Sequence, residues 1–259
     1  MLRLRIVSTL IGIPILIGLL FLGKISFFIL IAILSLVGLV EFNSLSRKRA
    51  HLNIPVSLLG GLGFPILALL DGEAGIGKAL ILLVFLVLTS QIFSERKFSS
   101  FDVSLTILGP IYVSLLLSHL ILLQALGKDG PYFVLMVFFG TWAGDIAAYA
   151  GGRLIGRRKL APRISPGKTW EGVVVGFLAT LAVLSFLFLS RLTLSQRVLL
   201  GITIGLAAPL GDLVESSFKR EAKIKDTGSV IPGHGGILDR FDSLLFTGTA
   251  SYYLLKILL

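Results

Sequence analysis

Apolar residues fill this chain in long blocks broken by short polar interruptions. The blocks show neither the alternation of a half-buried strand nor the one-sided stripe of a surface helix. Nine stand out: Ile6 to Leu22, Ile25 to Val40, Ile54 to Leu70, Ala79 to Phe93, Val103 to Leu126, Tyr132 to Gly152, Trp170 to Leu189, Val198 to Ser217 and Ile237 to Leu259. A crossing helix needs about 20 mostly apolar residues, with roughly 17 to 25 tolerated. Several are short, the second to fourth among them. Lipid-facing barrel strands alternate in polarity and these blocks do not, so helices are the form that satisfies the backbone inside a bilayer. The pattern predicts an all-α polytopic membrane protein with about nine transmembrane helices.

Composition agrees. Of 259 residues, 55% are hydrophobic and only 15% charged, with a mean hydropathy of +0.95. A soluble domain is about a quarter charged. Arg3 and Arg5 before an apolar stretch resemble a secretory signal, but no small-residue cleavage site follows, and the stretch reads as a retained first span.

Basic residues give an orientation. With alternating crossings, 18 of the 24 Lys and Arg fall on one side: Arg3 and Arg5, the Arg47-Lys48-Arg49 cluster, Arg96 and Lys97, the group from Arg153 to Lys168, and the group from Lys219 to Arg240. Lys24, Lys78, Lys128, Arg191, Arg197 and Lys256 fall on the other. The bias predicts a cytoplasmic N-terminus and an outside C-terminus. The net charge of +10 then reads as topology signal and attraction to anionic membrane lipids. A nucleic-acid partner is not expected, because no soluble basic domain with interleaved aromatics is present. The absence of cysteine excludes disulfides, thiolate catalysis and Cys-ligated metal.

Connections in the first half read as short and chemically plain. Gly60-Gly61-Leu62-Gly63 and the glycines from Gly72 to Gly77 read as packing or turn residues. From Asp145 onward the polar residues change character, for eight of the 14 acids lie there. An ionisable residue in a span is a functional hypothesis by default. Asp212 and Glu215 are three apart near the end of the eighth block; Asp239 and Asp242 are three apart where the ninth begins. Each pair shares a helix face. Between them runs a basic, glycine-broken loop with Lys219, Arg220, Lys223, Lys225, Asp226 and then Pro232-Gly233-His234-Gly235-Gly236. Carboxylates at that density call for a cation, and an all-oxygen site favours a hard ion such as Mg²⁺, which also takes phosphate oxygens. Lys and Arg suit the remaining phosphate charge. The bland alternative is a set of interfacial ion pairs with snorkelling lysines.

A second segment, Ser165-Pro166-Gly167-Lys168-Thr169-Trp170-Glu171-Gly172, tempts a P-loop reading. That motif needs glycine where Pro162 stands, and a buried strand before it, so it is rejected. What survives is Ser165 or Thr169 at a helix start, with free amides and Lys168 as an anion site. Asp145 either joins the site or pairs with a lysine.

The residues Ser216-Ser217-Phe218-Lys219-Arg220, Lys225-Asp226-Thr227-Gly228 and Pro232 through Asp242 resemble the signature of phosphatidate cytidylyltransferases, and Ser165 to Gly172 is similar to a second stretch of that family. The resemblance is specific over about Asp145 to Asp242. It implies a membrane-embedded, Mg²⁺-dependent homodimer that joins CTP to phosphatidate and releases pyrophosphate, in a funnel open to cytoplasm and bilayer. It also implies Asp212, Asp239 and Asp242 as metal carboxylates, and it allows a second, monovalent cation such as K⁺. On this reading residues 1–130 are scaffold and dimer contact, and residues 131–259 are the catalytic region of a bacterial inner-membrane enzyme whose site faces the cytoplasm.

Phosphatidate brings its own anionic nucleophile, so the protein needs to supply alignment and charge neutralisation. Lys219, Arg220, Lys223, Lys225 and Arg240 are expected to hold phosphates, as are Lys168, Ser165 and Thr169. Asp226 orients a lysine or completes the metal shell, and His234 donates to a phosphate. His119 reads as structural and His51 as a loop residue. Direct transfer without a cytidylyl-enzyme is expected. Two rivals remain. A transporter would build a midplane site in repeated halves. A related transferase would act on an isoprenoid phosphate or an archaeal ether lipid.

Overall fold

The computed structural model describes residues 2–47, 49–95, 98–186, 191–228 and 235–259, with side chains from Leu10 onward. Lys48, Arg96 and Lys97 of the basic connections, the end of the seventh apolar block, and Pro232, Gly233 and His234 of the signature lie outside the described residues. The elements are α1 (Leu2–Leu22), α2 (Lys24–Ser46), α3 (Ile54–Ile92), α4 (Ser100–Pro110), a π-helical turn (Ile111–Leu115), α5 (Leu116–Gln124), α6 (Gly130–Leu154), β1 (Lys159–Ala161), β2 (Ser165–Thr169), α7 (Trp170–Phe186), α8 (Leu194–Glu221) and α9 (Leu238–Leu258). The nine apolar blocks coincide with helix, apart from a few end residues. Among the described residues five helical stretches are long and apolar enough to cross a membrane: Lys24–Ser46, Ile54–Ile92, Ser100–Gln124, Gly130–Leu154 and Leu194–Glu221. The protein is an all-α polytopic membrane protein.

The chain forms two compact units. One combines Met1–Leu122 with Ala222–Arg240; the other combines Leu123–Glu221 with Phe241–Leu259. These are units of packing, whereas the division expected at 130/131 is one of role.

In the first unit α3 carries the third and fourth blocks without a connecting loop. Its backbone breaks at Gly72 (φ 60°, ψ −135°), a conformation that glycine adopts without Cβ strain. Asn53 starts α3 by accepting from the Val56 amide, and Ser99 and Asp102 cap α4 reciprocally as a capping box. Asp102 also accepts from the His51 amide at 2.7 Å, which fixes that loop. Pro110 lacks the N–H that would continue the ladder, and the helix widens into a π turn directly after it. Phe27, Ile31, Leu39, Phe42, Phe64 and Leu83 are fully buried. Phe42 packs on Tyr112, and Asn43 bonds Ser57 across α2 and α3. These contacts fix the rotation of α2 next to Glu41.

In the second unit α6, α7 and α8 pack through small residues. A Cβ at Gly172 would lie 2.7 Å from the Ala148 carbonyl, one at Gly176 2.7 Å from the Gly144 carbonyl, and one at Gly205 2.6 Å from the Phe177 ring. Such close approach is how apolar helices gain contact where lipid offers no hydrophobic drive. Thr180 donates to the Gly140 carbonyl at 3.0 Å, and Thr141 to Thr247 at 3.0 Å, which ties α6 to α7 and α9.

Candidate active site

The second unit gathers charge from four elements. At Gly211 a Cβ would sit 2.5 Å from the Asp242 carbonyl and 3.0 Å from Ser243 Cα. Helices α8 and α9 therefore touch backbone to backbone at that depth, which brings Asp212 beside Asp242. Asp145, from α6, completes a group of three acids within electrostatic reach of one another, faced by Lys168 and Lys219. Lys168 Nζ lies 2.7 Å from Asp212 Oδ2. Lys219 pairs with Glu215 one turn earlier on α8, and Glu215 is buried. Ser216 donates to Asp212 at 3.3 Å, and Asp242 accepts from the Ser243 amide at 2.7 Å. The expected pair Asp212 and Glu215 is present on one helix, but each acid has its own lysine.

Lys168 reaches this group from a hairpin, not from a helix start. β1 and β2 pair antiparallel with Lys159 opposite Thr169 and Ala161 opposite Ser165. Thr169 follows the expectation for a helix start: its hydroxyl accepts from the Gly172 amide at 3.1 Å and caps α7. Ser165 does not, because it begins β2, a full strand away from that helix. Glu171 accepts from the amides of Arg157 and Arg158 at 3.0 and 3.2 Å, pinning the approach to β1. Arg220 donates through Nε to the Ile164 carbonyl at 3.0 Å, so it braces the hairpin turn.

The stretch Ala222–Arg240 belongs to the first unit. Lys223 stops α8 in a left-handed conformation (φ 58°). Lys223, Lys225, Asp226 and Arg240 are exposed. Asp239 is committed to the loop itself: its Oδ2 accepts from the Thr227 amide at 2.9 Å, the Thr227 hydroxyl at 3.1 Å and the Gly236 amide at 2.8 Å. His234 lies outside the described residues. His119 is buried and bonds the Leu115 carbonyl at 2.9 Å, as a structural histidine does.

One residue of this loop's surroundings was missed. Glu41, at the end of the second apolar block, is 4% exposed and accepts from the amides of Ile237 and Leu238, both at 2.9 Å. The expectation that connections in the first half are chemically plain fails here, at the residue that opens the second of them. An acid abutting an apolar run was the available signal.

The donor set beside Lys168 suits a hard cation in kind, since it is all carboxylate oxygen. A lysine ammonium already fills the cationic role at Asp212. Among the described residues no three His, Asp or Glu side chains converge as a ready-made metal cage.

Fold and site together define a class, an integral membrane protein with a cluster of acids and lysines among its helices. A family model described as the cytidylyltransferase family matches residues 3–258. A Staphylococcus aureus (strain COL) protein called phosphatidate cytidylyltransferase is 33% identical over 253 residues, covering 94% of this chain and 95% of its own length. The Bacillus subtilis (strain 168) protein of the same name is 37% identical over 248 residues, 91% and 90% of the two chains. The chain belongs to the cytidylyltransferase family and is a nucleotidyltransferase.

Proposed function

We propose that this protein transfers CMP from CTP to phosphatidate, giving CDP-diacylglycerol and pyrophosphate, by direct attack of the lipid phosphate on the α-phosphorus. The observation that carries the reading is the charge group of the second unit. Asp145, Asp212, Glu215 and Asp242 stand against Lys168 and Lys219. Counted with every group ionised, four carboxylates against two ammonium groups leave a formal excess of two negative charges, the complement of one divalent cation. The names of the relatives support the substrates.

In this reading Asp212 and Asp242, with Asp145, hold Mg²⁺. When bound, Mg²⁺ supplies charge neutralisation on the phosphates and helps pyrophosphate leave. A second, monovalent cation such as K⁺ suits the same oxygens. Asp239, assigned with them from the signature, has Oδ2 committed to the loop, and a Mg²⁺ titration of Asp239→Asn separates the two roles. Lys168 and Lys219 exchange a carboxylate for a phosphate oxygen as substrate enters. Arg220 supplies further positive charge for the triphosphate and Ser165 is a donor to it, while the phosphate-holding roles of Lys223, Lys225, Arg240 and His234 rest on the family resemblance. The nucleophile needs no activation by a side chain, because a phosphomonoester is anionic near neutral pH. The protein's task is to hold two anions in line.

The reading further places the protein in a bacterial inner membrane, as a homodimer, with its site facing the cytoplasm and its basic residues against anionic lipid. The decisive assay uses purified protein, labelled CTP, Mg²⁺ and a panel of lipids that includes phosphatidate, an isoprenoid phosphate and an ether lipid. A CDP-lipid from phosphatidate, with inversion at a sulfur-labelled chiral α-phosphorus, is expected. Product from another lipid only, or retention, overturns the reading. Topology has its own test in the cysteine-free background. A cysteine replacing Ser165 reacts with an impermeant thiol reagent only from the cytoplasmic face, and one replacing Ser195 only from outside. The reverse pattern removes the site from its CTP supply.

A further inference from the structure

We infer that Glu41 is a positioning residue for the signature loop: a buried carboxylate from α2 that closes the loop's base and takes the amide end of α9. The inference rests on the proposed cytidylyl transfer for its kinetic consequence and on geometry alone for its structural one.

The two flanks of segment 229–234 meet at two carboxylates. Glu41 Oε1 accepts from the Ile237 amide and Oε2 from the Leu238 amide, both at 2.9 Å. On the other flank the Thr227 hydroxyl lies 3.2 Å from Glu41 Oε2 and 3.1 Å from Asp239 Oδ2. Asp239 Oδ2 takes the Thr227 and Gly236 amides as well. The chain before the segment and the chain after it are thus held by the same pair of anions. Hydrogen bonds to an ionised acceptor are roughly twice as strong as neutral ones.

The glycines of the signature fit this latch. A Cβ at Gly228 would lie 2.7 Å from Glu41 Oε1, one at Gly236 2.5 Å from Glu41 Oε2, and one at Gly235 2.8 Å from Asp239 Oδ2. Gly235 also has φ 86°. At these three positions the loop backbone runs against the two carboxylates, and only glycine leaves room for it.

Glu41 has a second consequence. Free amides at a helix start attract phosphate, and the start of α9 lies inside the signature. With Glu41 on the Ile237 and Leu238 amides, that end is already satisfied by an anion of the protein. Substrate phosphate is left to the lysines. The first turn of α9 is also fixed before Asp242 emerges from it one turn later. A neutral side chain at position 41 would hold the loop loosely and open the amides to phosphate.

The test compares Glu41→Gln, Thr227→Val and Thr227→Ser in the full-length protein. Gln keeps the size but turns an NH₂ toward one backbone donor. We expect Glu41→Gln to lower kcat by about 10- to 100-fold with the CTP KM changed by less than about threefold, because misplacement acts on the reacting geometry and not on uniform binding. Thr227→Val should act in the same direction, Thr227→Ser should stay near wild type, and the Gln/Val double variant should lose little more than Glu41→Gln alone. A readout independent of activity is tryptic cleavage at Lys225 and Arg240 in detergent, expected to be about tenfold faster in Glu41→Gln while other sites are unaffected. Unchanged cleavage overturns the latch whether or not CDP-lipid forms. Cleavage accelerated with kcat unchanged leaves a structural clamp and overturns the positioning role. A wild-type protein inactive on phosphatidate sinks the proposed reaction and leaves the cleavage comparison to decide the latch.

Discussion

Asp239 and Asp242 are three residues apart in one signature, and they stand in opposite electrostatic settings. Asp239, in the first unit, is surrounded by donors, three of them on a single oxygen. Asp242, in the second unit, accepts one backbone amide and otherwise faces Asp212, Asp145 and Lys219. A carboxylate among donors is satisfied by its own protein and stabilises it. A carboxylate among carboxylates is held against repulsion, which in the proposed reading a bound cation would relieve. Strain of the second kind gathers at functional sites and is compensated elsewhere in a fold. The same residue type in the same motif therefore does two jobs, loop building in one unit and charge presentation in the other.

The largest expected effect breaks the second setting. Asp242→Asn and Asp212→Asn should each lower kcat by about a thousandfold or more, on the scale of losing a main electrostatic contributor. The thermal midpoint of Asp242→Asn should hold or rise, because the change relieves repulsion. Radiolabelled turnover and thermal unfolding in detergent give both numbers. A variant that melts earlier and keeps its turnover would make Asp242 a structural residue.

Asp239→Asn should behave in the opposite way. It weakens three hydrogen bonds at one half-buried acceptor, for a cost of about 1–3 kcal/mol, and lowers the thermal midpoint. Activity should fall by about tenfold through the loop, with the Mg²⁺ concentration for half-maximal rate unchanged. In a variant of Asp212 that keeps measurable activity, such as Asp212→Glu, the same titration should move to higher Mg²⁺. Should Asp239→Asn shift the Mg²⁺ requirement equally, the distinction between the two acids collapses and Asp239 rejoins the metal set.

How much of this could be read from the chain follows the range of the interactions. Helices were legible because an apolar run long enough to cross a bilayer is a local property. The acids at Asp212, Glu215, Asp239 and Asp242 were legible because ionisable residues in apolar surroundings are conspicuous. Their partners were not. Lys168 meets Asp212 through a hairpin of two short strands, and strands of three and five residues are too brief for periodicity to register. Ser165 was misplaced for that reason. Glu41 stands 196 residues before Ile237, and no local pattern connects a polar end of one span to the start of another. The glycines of the signature read only as breaks in a basic loop. The three that flank segment 229–234 are instead where the backbone passes two carboxylates.

The smallest effects compare how the two units tolerate one methyl group. Gly211→Ala would push a Cβ to 2.5 Å from the Asp242 carbonyl, which is backbone and cannot rotate away. Overpacking of this kind costs about 1–3 kcal/mol. It also separates α8 from α9 where Asp212 and Asp242 meet, so kcat should fall by about tenfold as the pair loses alignment. Gly38→Ala in the first unit would meet Val113 Cγ1 at 2.8 Å and Leu238 Cδ2 at 3.3 Å. Both are side-chain ends that can shift by a rotamer or a few tenths of an ångström. Its cost should be at or below about 1 kcal/mol, with kcat within about twofold of wild type. The comparison is sharp because Leu238 begins α9, the helix that carries Asp242. If Gly38→Ala lowers kcat as much as Gly211→Ala does, the start of α9 is as finely set in the first unit as the acid pair is in the second. Loop building and charge presentation would then be one mechanical element and not two.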